Sequence, residues 1–343
     1  MLTEEQMEEI REHLEKAQNP VFFFDNDPDG LCAFLLLKRY AGKGKGVAIR
    51  SFPDLTVDYF RKIHELNADY VFILDKPLVS KDFFDEVEKH NIPVVWIDHH
   101  EPQEVPDFVN YYNPLLNEER NEPVTYLCYK MCEKKEDIWI AVIGCIFDKF
   151  IPEFYSEFEE KYPDLSTKYD DAFDVFYKSQ IGKIAKIFSF GLKDRTTNVV
   201  NMLRFLSEVK SPYEVLEEGS KNYSMHNRFR QIDTKYQKLL DKALLIGEKP
   251  GYLLFFQYQG DLSISGDLAN ELNYRFPGKT IVVVYVSGTK ANISARGSGV
   301  RGLILKTIDG FQDSTGGGHE EAVGAKIRVE DIGRFKRRLE RFA

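Results

Sequence analysis

The first 150 residues alternate between short apolar segments and amphipathic segments of helical period. The apolar segments PVFFFD, GVAIRSF, DYVFILD and IPVVWID have the length of strands and are hydrophobic almost throughout. The segments between them, such as GLCAFLLLKRYAG and SKDFFDEVEKHN, place apolar residues at helical spacing. Apolar strands that alternate with helices are typical of a parallel sheet covered on both faces. This pattern predicts an α/β domain.

The remainder of the chain predicts a helical section followed by a second domain. Residues 166–248 contain long helical patterns, and we expect the last of them to connect the two domains. From residue 249 the chain returns to strands and helices, which predicts a smaller α/β or α+β domain. We therefore divide the 343 residues into a first domain (1–165), a helical section (166–248) and a second domain (249–343).

Composition narrows the class of protein. A formal net charge of −9 argues against a uniformly basic nucleic-acid coat, although basic residues exceed acidic ones from residue 275 onward. The four cysteines lack the spacing of a zinc site, and we expect them to be buried free thiols. The apolar segments are too short to span a membrane, and residues 1–18 form a charged amphipathic pattern. We therefore expect a cytoplasmic protein without a membrane partner.

Acidic residues follow three of the four predicted strands. In open α/β sheets, ligands bind beyond the carboxyl ends of the strands, so these acids should meet at one edge. Carboxylates and imidazoles suit Mn²⁺ or Mg²⁺, and two such ions would offset the repulsion between the acids. A single aspartate there is often only a helix N-cap, and Asp29 is open to that interpretation. The candidate residues are Asp25, Asp27, Asp29, Asp75, Asp98, His99, His100 and Asp148.

These motifs resemble a known family. DNDPDG, the strand-ending Asp75, DHH (98–100) and Asp148 in GCIFD follow the order and approximate spacing of the DHH phosphoesterase superfamily. NISARG and STGGGHEEAVGAKI resemble its companion DHHA1 domain. Within the superfamily the chain is similar to the compact archaeal RecJ-like nucleases. The resemblance implies an α/β fold in which a parallel-sheet DHH domain is joined by a helical section to a smaller α/β DHHA1 domain.

The resemblance also implies a role for each acidic and histidine position. His100 would lie close to the scissile phosphate, and Asp98 would hold the histidines in orientation. Two Mn²⁺ ions, or Mg²⁺ in their place, would activate a water for phosphodiester hydrolysis. Asp25 is expected to be a supporting or weak ligand. The metal ligands implied in this way are Asp25, Asp27, Asp29, Asp75, His99 and Asp148.

Two positions depart from the family pattern. Several relatives carry a histidine two residues before the leading acid, where this chain has Phe23. Asp75 is followed by Lys76 and Pro77, where relatives often have a small or polar residue. Lys76 is open to two interpretations, because its ammonium could face a phosphate or could pair with a nearby acid.

The second domain carries the residues that we expect to bind substrate. The glycines of GGGH allow close approach of the backbone and present N–H groups to a phosphate, and the histidine adds a donor. Arginine suits a bidentate phosphate contact. A flexible linker is the structural alternative for the glycine run. The candidates are Arg296, Gly316, Gly317, Gly318 and His319.

Three functions follow from the resemblance. The first is a RecJ-like exonuclease on single-stranded DNA or RNA, with replication or repair proteins as further partners. The second is a phosphodiesterase for short oligonucleotides or cyclic dinucleotides, which the acidic composition favours because a long strand needs an extended basic groove. The third is an inactive replisome scaffold, which would require lost metal ligands.

Overall fold

The computed structural model describes residues 1–51, 53–117, 121–166, 168 and 171–342. The chain divides into two compact units, Met1–Arg230 and Gln231–Ala343. The boundary between them falls within one helix, Tyr223–Gly247. The domain boundaries predicted at residues 165 and 248 stay predictions.

The first unit is built on a parallel sheet, as the sequence predicts. Its strands lie in the order β2-β1-β4-β6-β7, and every neighbouring pair is parallel. A separate short pair joins β3 to β5. The strands are β1 (Pro20–Asp25), β2 (Lys45–Ile49), β3 (Asp54–Leu55), β4 (Tyr70–Leu74), β5 (Leu78–Val79), β6 (Val94–Ile97) and β7 (Val109–Tyr112).

Helices cover both faces of this sheet. Alternate residues of β1 point to opposite faces, so Phe22 and Phe24 join one apolar core and Phe23 joins the other. The helices are α1 (Glu4–Lys16), α2 (Pro28–Ala41), α3 (Arg61–Glu65), α4 (Lys81–Lys89), α5 (Val124–Cys132), α6 (Ile138–Phe147), α7 (Tyr155–Lys161), α8 (Ala172–Lys178), α9 (Gln180–Leu192), α10 (Thr196–Glu208), α11 (Pro212–Leu216) and α12 (Tyr223–Gly247).

The second unit contains a mixed sheet in the order β11-β12-β10-β9-β8. Only the β8–β9 pair is parallel. Helices α14 and α15 pack on one face through Ile304 and Phe335, and α13 packs against β9 and β10. The elements are β8 (Leu253–Gln259), α13 (Ser265–Arg275), β9 (Thr280–Ser287), β10 (Lys290–Arg296), α14 (Val300–Ile308), β11 (Thr315–His319), β12 (Ala322–Arg328) and α15 (Ile332–Phe342).

Two details differ from the sequence pattern. The segment TVDYFRKIHELN forms a 3₁₀ turn and the short helix α3 instead of one long helix, because only Ile63 of α3 is buried. A single buried side chain gives too little apolar contact to stabilise a longer helix. Strand β7 adds an edge to the sheet that the strand pattern does not predict.

The cysteines agree with the expectation from composition. Cys32, Cys128, Cys132 and Cys145 are free and buried. Across the described ranges, no helix has both the length and the apolar composition needed to cross a membrane.

Candidate active site

The turn between β1 and α2 brings the first acidic residues to the end of the sheet. Asp25 is the last residue of β1, and Asp27 is the N-cap of α2, where its side chain accepts from Gly30 N at 3.1 Å. Pro28 at the first helical position suits a helix start. A Cβ on residue 30 would lie 2.7 Å from Asp25 O, so only glycine permits this close turn. The turn therefore fixes Asp25 and Asp27 beside each other.

The Asp29 side chain does not cap its own helix, α2. It accepts hydrogen bonds from the N-terminus of α5 instead. Its two carboxylate oxygens accept from Val124 N at 2.9 Å and from Thr125 N at 2.8 Å. The Thr125 hydroxyl donates to Asp29 O at 2.8 Å, and Pro123, the N-cap of α5, supplies no side-chain cap. Asp27, not Asp29, is thus the N-cap of α2, and Asp29 caps a second helix from a distance. Burial raises the pKa of Asp29 to about 6, which the Asp148 charge reinforces and the Thr125 hydrogen bonds oppose.

Asp75 and Asp148 occupy unfavourable positions, which indicates a functional role for both. Asp75 follows β4, is buried and has a φ of 57°, in the left-handed region that non-glycine residues rarely adopt. Asp148 is the C-cap of the apolar helix α6, where the helix dipole disfavours a carboxylate. A nearby cation would compensate for both the burial of Asp75 and the position of Asp148.

His99 connects these two acids. Its Nε2 lies 3.3 Å from Asp75 Oδ1 and 3.4 Å from Asp148 Oδ2. Its Nδ1 lies 2.8 Å from Asn121 Oδ1, so a neutral ring that donates from Nδ1 turns the Nε2 lone pair toward the acids. This is the tautomer that a histidine needs to bind metal through Nε2. Asn121 belongs to none of the motifs, and no sequence signal marks it.

His100 is held by Asp98 instead. The buried Asp98 accepts from His100 N at 3.1 Å, and its other oxygen lies 2.8 Å from His100 Nδ1. Burial lowers the pKa of His100, but the hydrogen bond and charge of Asp98 outweigh it and raise the pKa to about 8. Protonated His100 can therefore be a proton donor at neutral pH. Asp98 contacts His100, whereas the Nδ1 partner of His99 is Asn121. The bracing role of Asp98 stays a prediction.

The donor atoms converge closely enough to hold a cation. One oxygen or nitrogen from each of Asp75, His99 and His100 lies within 4.8 Å of the others, and the same holds for Asp29, His99 and Asp148. Burial raises the pKa of Asp27 well above its usual value, and the charges of Asp25, Asp148 and Asp29 raise it further. Carboxylates that repel one another beside an imidazole nitrogen form a donor set that fits Mn²⁺ or Mg²⁺.

Asp25 is paired with a lysine of the chain. Its Oδ1 accepts from the Nζ of Lys76 at 2.8 Å, and the Lys76 side chain is fully buried. Of the two interpretations of Lys76, the structure shows the ion pair. Phe23, two residues before Asp25, is buried edge-on against Phe83 and Tyr59.

Comparison with known families accounts for this arrangement. Residues 21–147 match the DHH family, N-terminal domain, and residues 250–343 match the DHHA1 domain. The chain belongs to the DHH family. It is a DHH-family phosphoesterase whose acidic and histidine residues can bind metal.

Several solved structures share the fold at low sequence identity. An exonuclease RecJ bound to manganese aligns over 100% of this chain and 94% of its own, with 17% identity and a TM-score of 0.68. RecJ from Thermus thermophilus in complex with Mn²⁺ aligns over 98% of this chain and 54% of its own, with 16% identity and a TM-score of 0.70. The pGpG-specific phosphodiesterase PggH from Vibrio cholerae aligns over 95% of this chain and 99% of its own, with 13% identity and a TM-score of 0.52. No curated protein sequence matches the chain.

The DHHA1 domain contains the other predicted site residues. The glycines of GGGH and His319 are exposed on β11, which is an edge strand in the order of the sheet, so this segment is a strand and not a linker. Arg296, the last residue of β10, is partly buried, and its guanidinium donates to Asn270 Oδ1 at 2.6 Å and to Ala295 O at 2.8 Å. Arg296 is thus oriented by its neighbours at one end of the same sheet.

Proposed function

We propose that this protein is a RecJ-like exonuclease that hydrolyses phosphodiester bonds in single-stranded DNA or RNA, with Mn²⁺ as its cofactor. The observation that carries the proposal is the meeting of Asp75, His99 and Asp148 around one point, from segments far apart in the sequence. Such a set of ligands is suited to a hard divalent cation next to a phosphate. The fold shared with RecJ bound to manganese supports this substrate class.

The residues of the site have different roles in the proposed reaction. When bound, the divalent cation supplies positive charge that lowers the pKa of a water and stabilises charge on the phosphate. Asp75, His99 and Asp148 would hold the cation, and Asp27 is near enough to Asp148 to join them. Asp29 lies beside this set, with its two oxygens on the N-terminus of α5. His100, oriented by Asp98, would donate a proton to the leaving oxygen. The RecJ resemblance predicts two ions, and Mg²⁺ is a second candidate metal.

The edge of the DHHA1 sheet provides a separate surface for phosphate. Gly317 pairs in register with Gly324, and a Cβ at either position would meet nothing within 4 Å. Edge strands present unpaired backbone N–H groups, which we propose bind the nucleic-acid backbone together with Arg296 and His319.

A charged side chain on this surface should weaken nucleic-acid binding. We expect Gly317→Glu to lower the affinity for a labelled single-stranded oligonucleotide about tenfold or more, because its carboxylate repels phosphate. Gly278→Glu is the matched control, since position 278 is also open to solvent and lies outside the glycine strand. Fluorescence anisotropy on the full chain without Mn²⁺ measures binding apart from cleavage. Equal affinities of the two variants would contradict the assignment of this surface.

A phosphodiesterase for short oligonucleotides or cyclic dinucleotides is the second candidate. The net charge of −9 favours it, as does the shared fold of PggH, a pGpG-specific phosphodiesterase. An inactive replisome scaffold is less well supported, because Phe23 is the one position where the chain lacks a possible ligand of the family pattern. Replication or repair proteins are proposed partners of either enzyme.

Labelled substrates of increasing length test the proposed function directly. The full chain with Mn²⁺ is incubated with 5′- and 3′-labelled DNA and RNA, from dinucleotides to about 40-mers, and the products are separated on gels. Progressive shortening of the long strands from one end supports the exonuclease. Cleavage confined to the shortest substrates supports the second candidate, and no cleavage of any substrate contradicts both enzymatic proposals.

A further inference from the structure

The ion pair of Asp25 and Lys76 places a fixed positive charge at the acidic end of the sheet. The Lys76 ammonium donates to Asp25 Oδ1 and to Ser51 O, each at 2.8 Å. The lysine side chain is fully buried, whereas that of Asp25 keeps 19% of its surface exposed. A buried ammonium needs an anionic partner, because burying an unpaired charge is very costly. Asp25 therefore stabilises Lys76 as an integral part of the fold.

The backbone on both sides of Lys76 is also fixed. The residue follows Asp75, whose left-handed conformation sets the direction of the chain, and the Trp96 indole donates to Lys76 O at 3.1 Å. Trp96 is itself buried in the sheet core. The ammonium is thus held by two acceptors, Asp25 Oδ1 and Ser51 O, and the backbone of Lys76 is held by Trp96.

We infer that the Lys76 ammonium takes the place of one of the two cations, so that this centre binds a single divalent ion. The inference deepens the proposed function and rests on it. A divalent ion bound to Asp25 would lie beside the ammonium that shares the same carboxylate, and like charges at that distance repel strongly inside a protein. A divalent ion at Asp25 would also weaken the Asp25–Lys76 ion pair, because the two cations would share one carboxylate.

The remaining donors are sufficient for one ion. His99 Nε2 lies within 3.4 Å of oxygens from both Asp75 and Asp148. Asp27 is close enough to Asp148 and Asp29 for their charges to raise its pKa. Oxygen-rich sites of this kind, completed by water, are typical of Mn²⁺ and Mg²⁺. Phe23, two residues before Asp25 on β1, is a buried ring without a donor atom for a second ion.

The metal stoichiometry of the full chain tests the inference. Protein stripped with a chelator is dialysed against rising Mn²⁺, the bound metal is measured by mass spectrometry, and electron paramagnetic resonance distinguishes an isolated ion from a coupled pair. We expect wild type to bind one ion with an isolated-ion spectrum. Lys76→Met keeps the side-chain length without the charge and should bind two ions with a coupled spectrum. Lys38→Met, a change to a partly buried lysine on α2, is the matched control and should bind one.

A second variant keeps the test decisive if Lys76→Met does not fold. The double variant Asp25→Asn/Lys76→Met removes both partners of the ion pair, so it leaves no unpaired buried charge. It should still bind one ion, because Asp25 is not among the ligands of that ion, whereas Asp27→Asn should lose it. Two ions in wild type, or loss of the single ion in the double variant, would overturn the inference and leave the proposed function intact. A wild type that binds no ion would overturn the proposed function as well.

Discussion

Replacing Asp75 with asparagine should reduce Mn²⁺-dependent hydrolysis by about 10³-fold or more. Asp75 Oδ1 lies 3.3 Å from His99 Nε2 and 3.9 Å from His100 Nδ1, so its carboxylate is central to the site. Burial raises the pKa of Asp75 well above its usual value, and the charges of Asp29 and Asp27 raise it further. A bound cation would stabilise the charged form of this carboxylate. The amide of asparagine removes that charge and one metal-binding oxygen.

Asparagine is the appropriate substitution because of the backbone at this position. The φ of 57° is tolerated by asparagine better than by most other residues, so the variant should retain the local fold. Alanine would add backbone strain to the loss of the ligand and confuse the two effects.

A second buried acid controls for general damage. Asp137 is buried beside Arg39, whose Nη2 lies 2.7 Å from its carboxylate, and it belongs to none of the metal-binding groups. Asp137→Asn should lower stability but retain Mn²⁺ content and turnover. Initial rates and bound metal are measured for both variants. An Asp75→Asn protein that keeps its Mn²⁺-dependent turnover would show that Asp75 is not a ligand.

Much of the first domain could be predicted from local patterns. The apolar strands must be buried on both faces, and the phenylalanines of β1 do alternate between the two cores. The short helix α3 and strand β7 could not be predicted in this way, because their extent depends on tertiary contacts more than on their own periodicity.

The site shows the same division between local and tertiary information. Residues at strand ends, such as Asp75 and His99, could be predicted to meet because parallel strands end at one edge. The hydrogen-bond partner of His99 could not be predicted, because Asn121 lies in an irregular segment and only the tertiary fold brings it next to the ring. The sequence likewise left two interpretations of Lys76, which differ only in where a long, flexible side chain points.

Replacing Asp29 with alanine should lower the free energy of unfolding of the first unit by roughly 2–5 kcal/mol. The two backbone N–H groups at the start of α5 would lose this carboxylate acceptor while remaining buried. A negative charge at a helix N-terminus is also favourable, and this contribution would be lost. The expected loss is greater than that for an ordinary exposed cap, which is typically about 1 kcal/mol.

Asp27 provides the matched comparison, because it lies two residues away and is also a cap. Its side chain makes one bond to Gly30 N at 3.1 Å, and its own charge is opposed by Asp25, Asp148 and Asp29. Asp27→Asn should therefore change the stability of the metal-free protein by less than about 1 kcal/mol, while strongly reducing Mn²⁺ binding. Asp29→Ala should thus lower the stability of the metal-free protein, whereas Asp27→Asn should lower Mn²⁺ binding.

Tryptophan fluorescence during urea unfolding of the metal-free protein measures the stability of the first unit in the two variants. The chain has two tryptophans, and both Trp96 and Trp139 are buried in the first unit. Asp29→Ala should shift the unfolding midpoint to lower urea, and Asp27→Asn should not. If Asp29→Ala instead unfolds like wild type and loses only Mn²⁺, then Asp29 acts as a metal ligand and its hydrogen bonds to α5 contribute little stability. A shift without metal loss would identify Asp29 as the residue that attaches α5 to the turn carrying Asp25 and Asp27.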